Sequence, residues 1–315
     1  MSKYKIAVLD DYQDVAKSFA DWTVLAEHAD IKVFTDHLHG EDEIVARLMP
    51  FDIICVMRER TPLTAALLMK LPNLKLIAST GARNRSIDVA AAEKLQIEVR
   101  NTGYLGHGAL ELTWALLLAI AKHIPQENAN LRAGGWQHMV GNDLKGKTLG
   151  ILGLGNLGAQ VAAVAKVFDM DIIAWSENLT PEKAIVGGAR YVDKKTLFQE
   201  SDYLTVHMVL SDRSKGIVAA EDLALMKPTA YLINTSRGPL VDEDALIKSL
   251  EENKIAGAAL DVFDKEPLDG GHPFRKLKNV LATPHIDFVT HDTYNLFFDD
   301  MIKVLLDWIP QHPKN

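Results

Sequence analysis

Thr148-Leu149-Gly150-Ile151-Leu152-Gly153-Leu154-Gly155-Asn156-Leu157-Gly158 is the stretch that decides the fold. A short apolar strand pattern runs without a spacer into a GxGxxG turn, and Val161 to Phe168 continues in a helical pattern. The first glycine permits a tight turn, the second lets backbone approach a pyrophosphate, and the third lets helix pack on strand. Free N–H groups at the start of the helix, and the positive end of its dipole, then meet the phosphates. The glycine spacing alone is a weak signal. Its place between a strand and a helix carries the reading.

In such a unit an acidic residue closes the next strand and holds the adenosine ribose. Here that strand ends Ala174-Trp175-Ser176-Glu177-Asn178, with Ser176 in the expected position and Glu177 beside it. Loss of the acid removes a barrier to a 2′-phosphate. No Arg or Lys stands in the turn to bind one, however, and Glu177 repels it; the nearest cation is Lys183. The reading favours NAD and leaves NADP open.

Outward from this turn, short apolar runs alternate with helical patterns, the rhythm of parallel sheets. On the N-terminal side lie Lys5 to Leu9, Asp52 to Val56 and Leu74 to Ser79; on the C-terminal side lie Asp171 to Trp175, Tyr203 to His207, Ala230 to Asn234, Ala256 to Val262 and Val280 to Ala282. A long helix, about Gly108 to His123, separates the two series. The polar passage Arg132-Ala133-Gly134-Gly135-Trp136 after it is expected to cross between domains. A last amphipathic pattern, Thr293 to Ile309, is expected to return to the first domain.

With 315 residues, 48% hydrophobic and 24% charged, the chain reads as a two-domain globular protein. A net charge of −8 argues against nucleic acid as a partner. No apolar run suits a membrane span, and Met1 to Lys5 carries no secretory pattern, so a cytoplasmic protein is expected. Cys55 sits in the apolar run Ile53-Ile54-Cys55-Val56-Met57 and reads as a packed small hydrophobe.

Three later segments place ionisable residues after apolar strands, where open α/β sheets build their sites. They are Asn234-Thr235-Ser236-Arg237-Gly238, Asp261-Val262-Phe263-Asp264-Lys265-Glu266-Pro267 and Thr283-Pro284-His285-Ile286. Together with the glycine turn, this order resembles the D-isomer-specific 2-hydroxyacid dehydrogenase family over essentially the whole chain, most strongly from Leu144 to Thr290. The resemblance implies an α/β fold of two doubly wound parallel-sheet domains. A Rossmann cofactor domain, 104–288, would be inserted into a flavodoxin-like substrate domain, 1–103 with 289–315. It also implies hydride transfer between NAD(P)H and a small 2-oxo or 2-hydroxy acid, in a homodimer paired through about Gly108 to Gly146.

The chemistry of the residues agrees with the implied catalytic roles. Arg237 can grip a carboxylate bidentately while polarising the carbonyl. His285 titrates near neutrality and suits acid–base work. Glu266 beside it would fix the tautomer and stabilise the imidazolium. Taken singly, each is more often a solvated arginine or a turn carboxylate; in order behind the glycine turn they read as a site. By resemblance the cofactor is met by Gly153, Gly155, Asn156, Leu157, Gly158, Ser176, Met208, Thr235, Ser236 and Asp261, the last at the nicotinamide, with Thr113 nearby. Substrate is met by Arg58, Thr80, Gly81, Arg83 and Arg237. No metal is expected.

Departures from the family pattern mark where specificity is expected. The usual substrate loop, G-x-G-x-D-N-I-D, is here Gly81-Ala82-Arg83-Asn84-Arg85-Ser86-Ile87-Asp88, and Arg58-Glu59-Arg60 follows the preceding strand. Arg58 and Arg83 read as anion-binding, for a polar or acidic substrate such as glyoxylate, hydroxypyruvate or a phosphorylated analogue; Arg60 and Arg85 read equally well as solvated. Asp287 stands where the family usually has glycine, either raising the His285 pKa, narrowing the pocket or pointing to solvent. Trp114 and Trp136 read as packing or dimer residues. A 3-phosphoglycerate dehydrogenase and an NAD(H)-sensing binding protein without turnover remain alternatives.

Overall fold

The computed structural model describes residues 2–314. The chain forms two compact units, Met1–Leu105 with Val289–Asn315, and Gly106–Phe288.

The first unit holds a parallel sheet of β1 (Tyr4–Val8), β2 (Ala29–Val33), β3 (Ile53–Val56), β4 (Leu76–Ser79) and β5 (Glu98–Asn101), in the order β2-β1-β3-β4-β5. Central strands β3 and β4 are buried at every residue, as expected of strands covered on both faces. Ala7, Ile54, Val56 and Ile77 pack into one core with Val45, Leu48, Leu67 and Leu68 from the helices Glu41–Leu48 and Ala65–Met69. The amphipathic helix His291–Gln311 belongs to this unit and buries Phe297, Phe298, Met301, Leu305 and Trp308. Trp308 meets Tyr4 edge-on, with ring centroids 5.4 Å apart, and its indole N–H donates to Glu98. Cys55 is buried on β3, where burial pushes its thiol pKa up, as suits an inert core residue.

The second unit is a seven-stranded parallel sheet, β12-β11-β10-β9-β6-β7-β8. Its strands are β6 (Thr148–Leu152), β7 (Asp171–Trp175), β8 (Arg190–Tyr191), β9 (Tyr203–Val206), β10 (Tyr231–Asn234), β11 (Gly257–Leu260) and β12 (Val280–Ala282). Alternation along each strand splits its residues between two cores. Leu149, Ile151, Tyr203 and Ile233 pack with Trp114, Leu117, Val161 and Ala165 on one side. Leu152, Leu204, Val206 and Leu232 pack with Leu197, Phe198, Leu246 and Leu250 on the other. Chain order reverses between β6 and β9, so the loops leaving these two strands flank a crevice at the carboxyl edge, the usual ligand position in such sheets.

The sequence reading is corrected on the crossing. Residues 132–136 lie inside the second unit, following the helix Ile124–Arg132, and the chain changes units at 105/106 and 288/289. Glycines mark a local turn there, and Pro125 at the helix start opened an element that a search for apolar periodicity passes over. Among the described residues, no helix is long and apolar enough to cross a membrane.

Candidate active site

The glycine turn adopts the conformation its composition requires. Gly153 has φ +103°, and a Cβ there would lie 2.8 Å from the His207 carbonyl group and from Met208 Cγ. A Cβ on Gly158 would meet the Gly153 carbonyl oxygen at 2.3 Å, so only glycine lets the helix Asn156–Val167 start this close to its strand. Over Gly155, by contrast, a Cβ would meet nothing within 4 Å. Exposed backbone at Gly155 and Asn156, opening a 12-residue helix, is a cradle that suits a dinucleotide pyrophosphate. Leu157 is half-buried beside it. Ser176 is half-buried just past the end of β7 and Glu177 is exposed, a hydroxyl beside a carboxylate. Met208 is half-buried across the crevice at Gly153.

The loop after β10 is held by its own side chains. Asn234 Oδ1 accepts from Ser236 N at 3.0 Å, and Asn234 Nδ2 donates to Arg237 O at 2.9 Å. Ser236 Oγ donates to Val206 O at 2.7 Å, tying the loop to β9. Thr235 Oγ1 lies 2.7 Å from Thr113 Oγ1, whose own proton goes to Ala109 O. Thr235 therefore docks the loop on the helix His107–Ala121. Arg237 emerges half-buried, with Nη1 donating to Ser236 O at 2.7 Å. A Cβ on Gly238 would sit 2.0 Å from the Phe263 carbonyl carbon, so the loop after β11 lies directly on this one.

That second loop carries Glu266. Its Oε1 accepts from Phe263 N at 2.9 Å, which leaves Oε2 to meet His285 Nδ1 at 2.5 Å. His285 sits in a left-handed conformation, φ +51°, after β12, with the Phe288 ring edge-on at 5.5 Å between centroids. Its Nε2 faces Asp287 Oδ1 at 3.7 Å. Burial by itself disfavours the charged imidazole. The hydrogen bond and charge of Glu266, with the charge of Asp287, outweigh both that burial and the opposing charge of Arg237, so the pKa lies above its ordinary 6.5. Asp287 is 8% exposed, which removes the solvent-facing alternative.

Asp261 supports the same segment. It is fully buried, and its Oδ1 accepts from Thr283 Oγ1 at 2.6 Å and Ile286 N at 2.9 Å, while Oδ2 accepts from Asp287 N at 3.1 Å. It anchors the 283–287 segment and so supports the left-handed turn at His285. Burial pushes the Asp261 pKa up to about 6, against the hydrogen bonds that favour its charge. Two supporting residues escaped the sequence reading. Thr283 was quoted only as part of T-P-H. Gly108 enters the sequence reading only as the start of a helix and of the expected dimer region, whereas a Cβ on it would lie 1.9 Å from the Asp287 carbonyl oxygen.

In the first unit, Thr80 lies beside Arg58. Its buried hydroxyl accepts from Arg58 N at 2.8 Å and points to Met57 Sδ, so it supports Arg58. Arg58 has φ +49° and spans the bare backbone of Gly81, where a Cβ would fall 2.0 Å from its Nη1. It lies over the Tyr104 ring at 5.0 Å and 3.6 Å from Glu59. Arg60 is no solvated arginine: it donates to Asp10 O at 2.6 Å and covers the Tyr12 ring at 4.3 Å. Arg83 and Arg85 are exposed in the loop after β4.

A glycine cradle with a crevice, and an Arg, Glu and His on three successive strand ends of the same sheet, define a nicotinamide-dependent oxidoreductase acting on a carboxylate-bearing carbonyl. The NAD-binding domain of D-isomer-specific 2-hydroxyacid dehydrogenases matches residues 114–287. A glyoxylate reductase of Thermococcus litoralis is 44% identical over 236 residues, 72% of this chain and 71% of that protein. A hydroxypyruvate reductase of Thermotoga maritima is 36% identical over 291 residues, 91% of this chain and 92% of that protein. The crystal structure of a phosphoglycerate oxidoreductase from Vibrio cholerae superposes with a TM-score of 0.91 at 38% identity, covering 97% of this chain and 98% of that one. The chain belongs to the D-isomer-specific 2-hydroxyacid dehydrogenase family. It is an NAD(P)-dependent oxidoreductase of 2-hydroxy acids.

Proposed function

We propose that the chain is a reductase of small, polar 2-oxo acids of the glyoxylate and hydroxypyruvate type, using NADH in preference to NADPH. The observation that carries the reductase chemistry is the 2.5 Å contact between His285 Nδ1 and Glu266 Oε2, which fixes the tautomer and leaves Nε2 to exchange a proton. Gly153, Gly155, Asn156, Leu157 and Gly158 would hold the dinucleotide, with Ser176 at the ribose and Met208, Thr235 and Ser236 lining the same crevice. When bound, the nicotinamide supplies or receives the hydride at C2 of the acid. Arg237 grips the substrate carboxylate and polarises the carbonyl. His285 donates the Nε2 proton to the carbonyl oxygen, and Glu266 stabilises the charge of the donor before transfer. Arg58 and Arg83 select for polar or acidic groups on the acid. The same reading has a cytoplasmic homodimer, supported by apolar residues exposed in the 108–146 region, Trp136 at 74% and Val140 at 91%.

Initial rates with NADH and NADPH across glyoxylate, hydroxypyruvate, pyruvate and 3-phosphohydroxypyruvate test this directly. Glyoxylate or hydroxypyruvate with NADH is expected to give the highest kcat/KM. A leading rate with 3-phosphohydroxypyruvate would assign a phosphoglycerate dehydrogenase instead, and a strong NADPH preference would overturn the cofactor assignment.

Support for His285 reaches back to the helix His107–Ala121. Because a Cβ at position 108 would collide with backbone, Gly108→Ala is expected to shift the 285–288 segment, at a stability cost of about 1–3 kcal/mol. Displacement of the acid by about 1 Å is expected to lower kcat by about 100-fold, more than the stability loss explains. Thermal melts and kcat measured on one preparation check this; a destabilised variant with full kcat contradicts it.

A further inference from the structure

His285 stands between two carboxylates. Glu266 holds Nδ1 at 2.5 Å, and Asp287 Oδ1 lies 3.7 Å from Nε2, on the side where the proton must leave for a substrate. Asp287 is fixed there from two directions: its backbone N–H donates to Asp261 Oδ2 at 3.1 Å, and its carbonyl rests against Gly108. Glycine is the usual residue at this place in the family pattern, so the shared chemistry does not require a carboxylate. The charged groups around the ring are Glu266 and Asp287, both favouring the imidazolium, Arg237 opposing it, and Asp261 behind the segment at the Ile286 and Asp287 N–H groups. Phe288 supplies the apolar wall.

We infer that Asp287 holds the proton on Nε2 of His285 and so adapts this chain to the reductive direction, extending reduction to higher pH and confining oxidation to more alkaline conditions. The inference rests on the reading of His285 as proton donor. In reduction, hydride adds to C2, the carbonyl π pair moves to oxygen, and that oxygen takes the Nε2 proton. Neutral imidazole then remains, its Nδ1–H still donating to Glu266, and a solvent proton restores the imidazolium at Nε2. Oxidation of the hydroxy acid must begin from neutral imidazole, the form that a carboxylate beside Nε2 disfavours. The overall equilibrium is untouched; what moves is the pH range in which each direction has its competent protonation state.

The test is Asp287→Asn, which removes the charge and keeps the shape, with Asp287→Gly as a second variant that lacks the side chain. Histidine NMR titration of the full chain, with His285→Gln to assign the resonance, reads the proton directly and needs no turnover. The His285 midpoint is expected to fall by about one pH unit in both variants. The alkaline limb of kcat/KM for oxo-acid reduction and the acid limb for hydroxy-acid oxidation are expected to fall with it, a joint shift that a purely structural role would not produce. A folded variant with an unmoved midpoint, or with unmoved limbs while the parent turns over, overturns the inference alone. A parent chain that reduces no 2-oxo acid removes the reading of His285 and the inference with it.

Discussion

His285→Gln is expected to lower kcat for 2-oxo acid reduction by about 100- to 10,000-fold, the range for loss of a positioned general acid. Glutamine keeps a polar side chain of similar reach but cannot carry the proton. The segment that holds this residue is anchored by Asp261 through Thr283 and the N–H groups of Ile286 and Asp287, not by the imidazole itself. The variant should therefore fold, and its affinity for NADH should match the parent's. Loss of the pH dependence assigned to His285 should accompany the loss of rate. Cofactor titration by fluorescence together with steady-state kinetics checks the expectation, and a variant keeping more than about a tenth of parental kcat contradicts it.

Arg237→Ala is expected to lower kcat/KM by about 1,000-fold, since two charge-assisted hydrogen bonds to a carboxylate are lost at once. The loop survives the change in outline, because Asn234 still accepts from Ser236 N and donates to the carbonyl of residue 237. Arg237→Lys should recover only part of the loss. An ammonium restores the charge but cannot offer two parallel N–H groups to the carboxylate while polarising the carbonyl. The KM rise should exceed that of His285→Gln, because the guanidinium holds substrate before as well as during reduction. Full recovery by lysine would mean that charge alone matters at this position.

How far the sequence reached depended on the kind of signal each element carries. Strands β6, β7 and β12 were read to the residue because they are apolar runs ended by turns. The edge strands β2, β5 and β8 were missed. Ala29-Asp30-Ile31-Lys32-Val33 is only partly buried, Glu98–Asn101 has no fully buried residue, and Arg190–Tyr191 is exposed, so no apolar run announces them. They form because a buried neighbour offers a free hydrogen-bonding edge, and a linear scan of hydropathy does not contain that fact.

The site divides in the same way. Arg237, Glu266 and His285 were legible because their chemistry follows from residue type and their positions from strand ends, and all three lie in the second unit. Asp261 and Thr80 are expected ligand contacts from the sequence; what their side chains show is a buried supporting role, accepting from backbone N–H groups and, for Asp261, a neighbouring hydroxyl. Sequence shows that a polar residue stands next to a motif; it does not show which way the side chain turns. Gly108 illustrates the limit from the other side. Its importance is an absent side chain, needed because a distant backbone segment passes through the space.

Hydride transfer itself is the claim on which the rest depends. The most direct measurement supplies, in separate reactions, NADH deuterated on each of the two faces of C4 with glyoxylate or hydroxypyruvate and analyses the product by mass spectrometry and chiral chromatography. One epimer is expected to give one deuterium at C2 of the hydroxy acid and lose the label from the oxidised cofactor, the other to keep it there, with the D configuration for glycerate from both. Binding of NADH with no deuterium in any hydroxy acid would contradict it, and would instead describe a dinucleotide-sensing protein built on this fold.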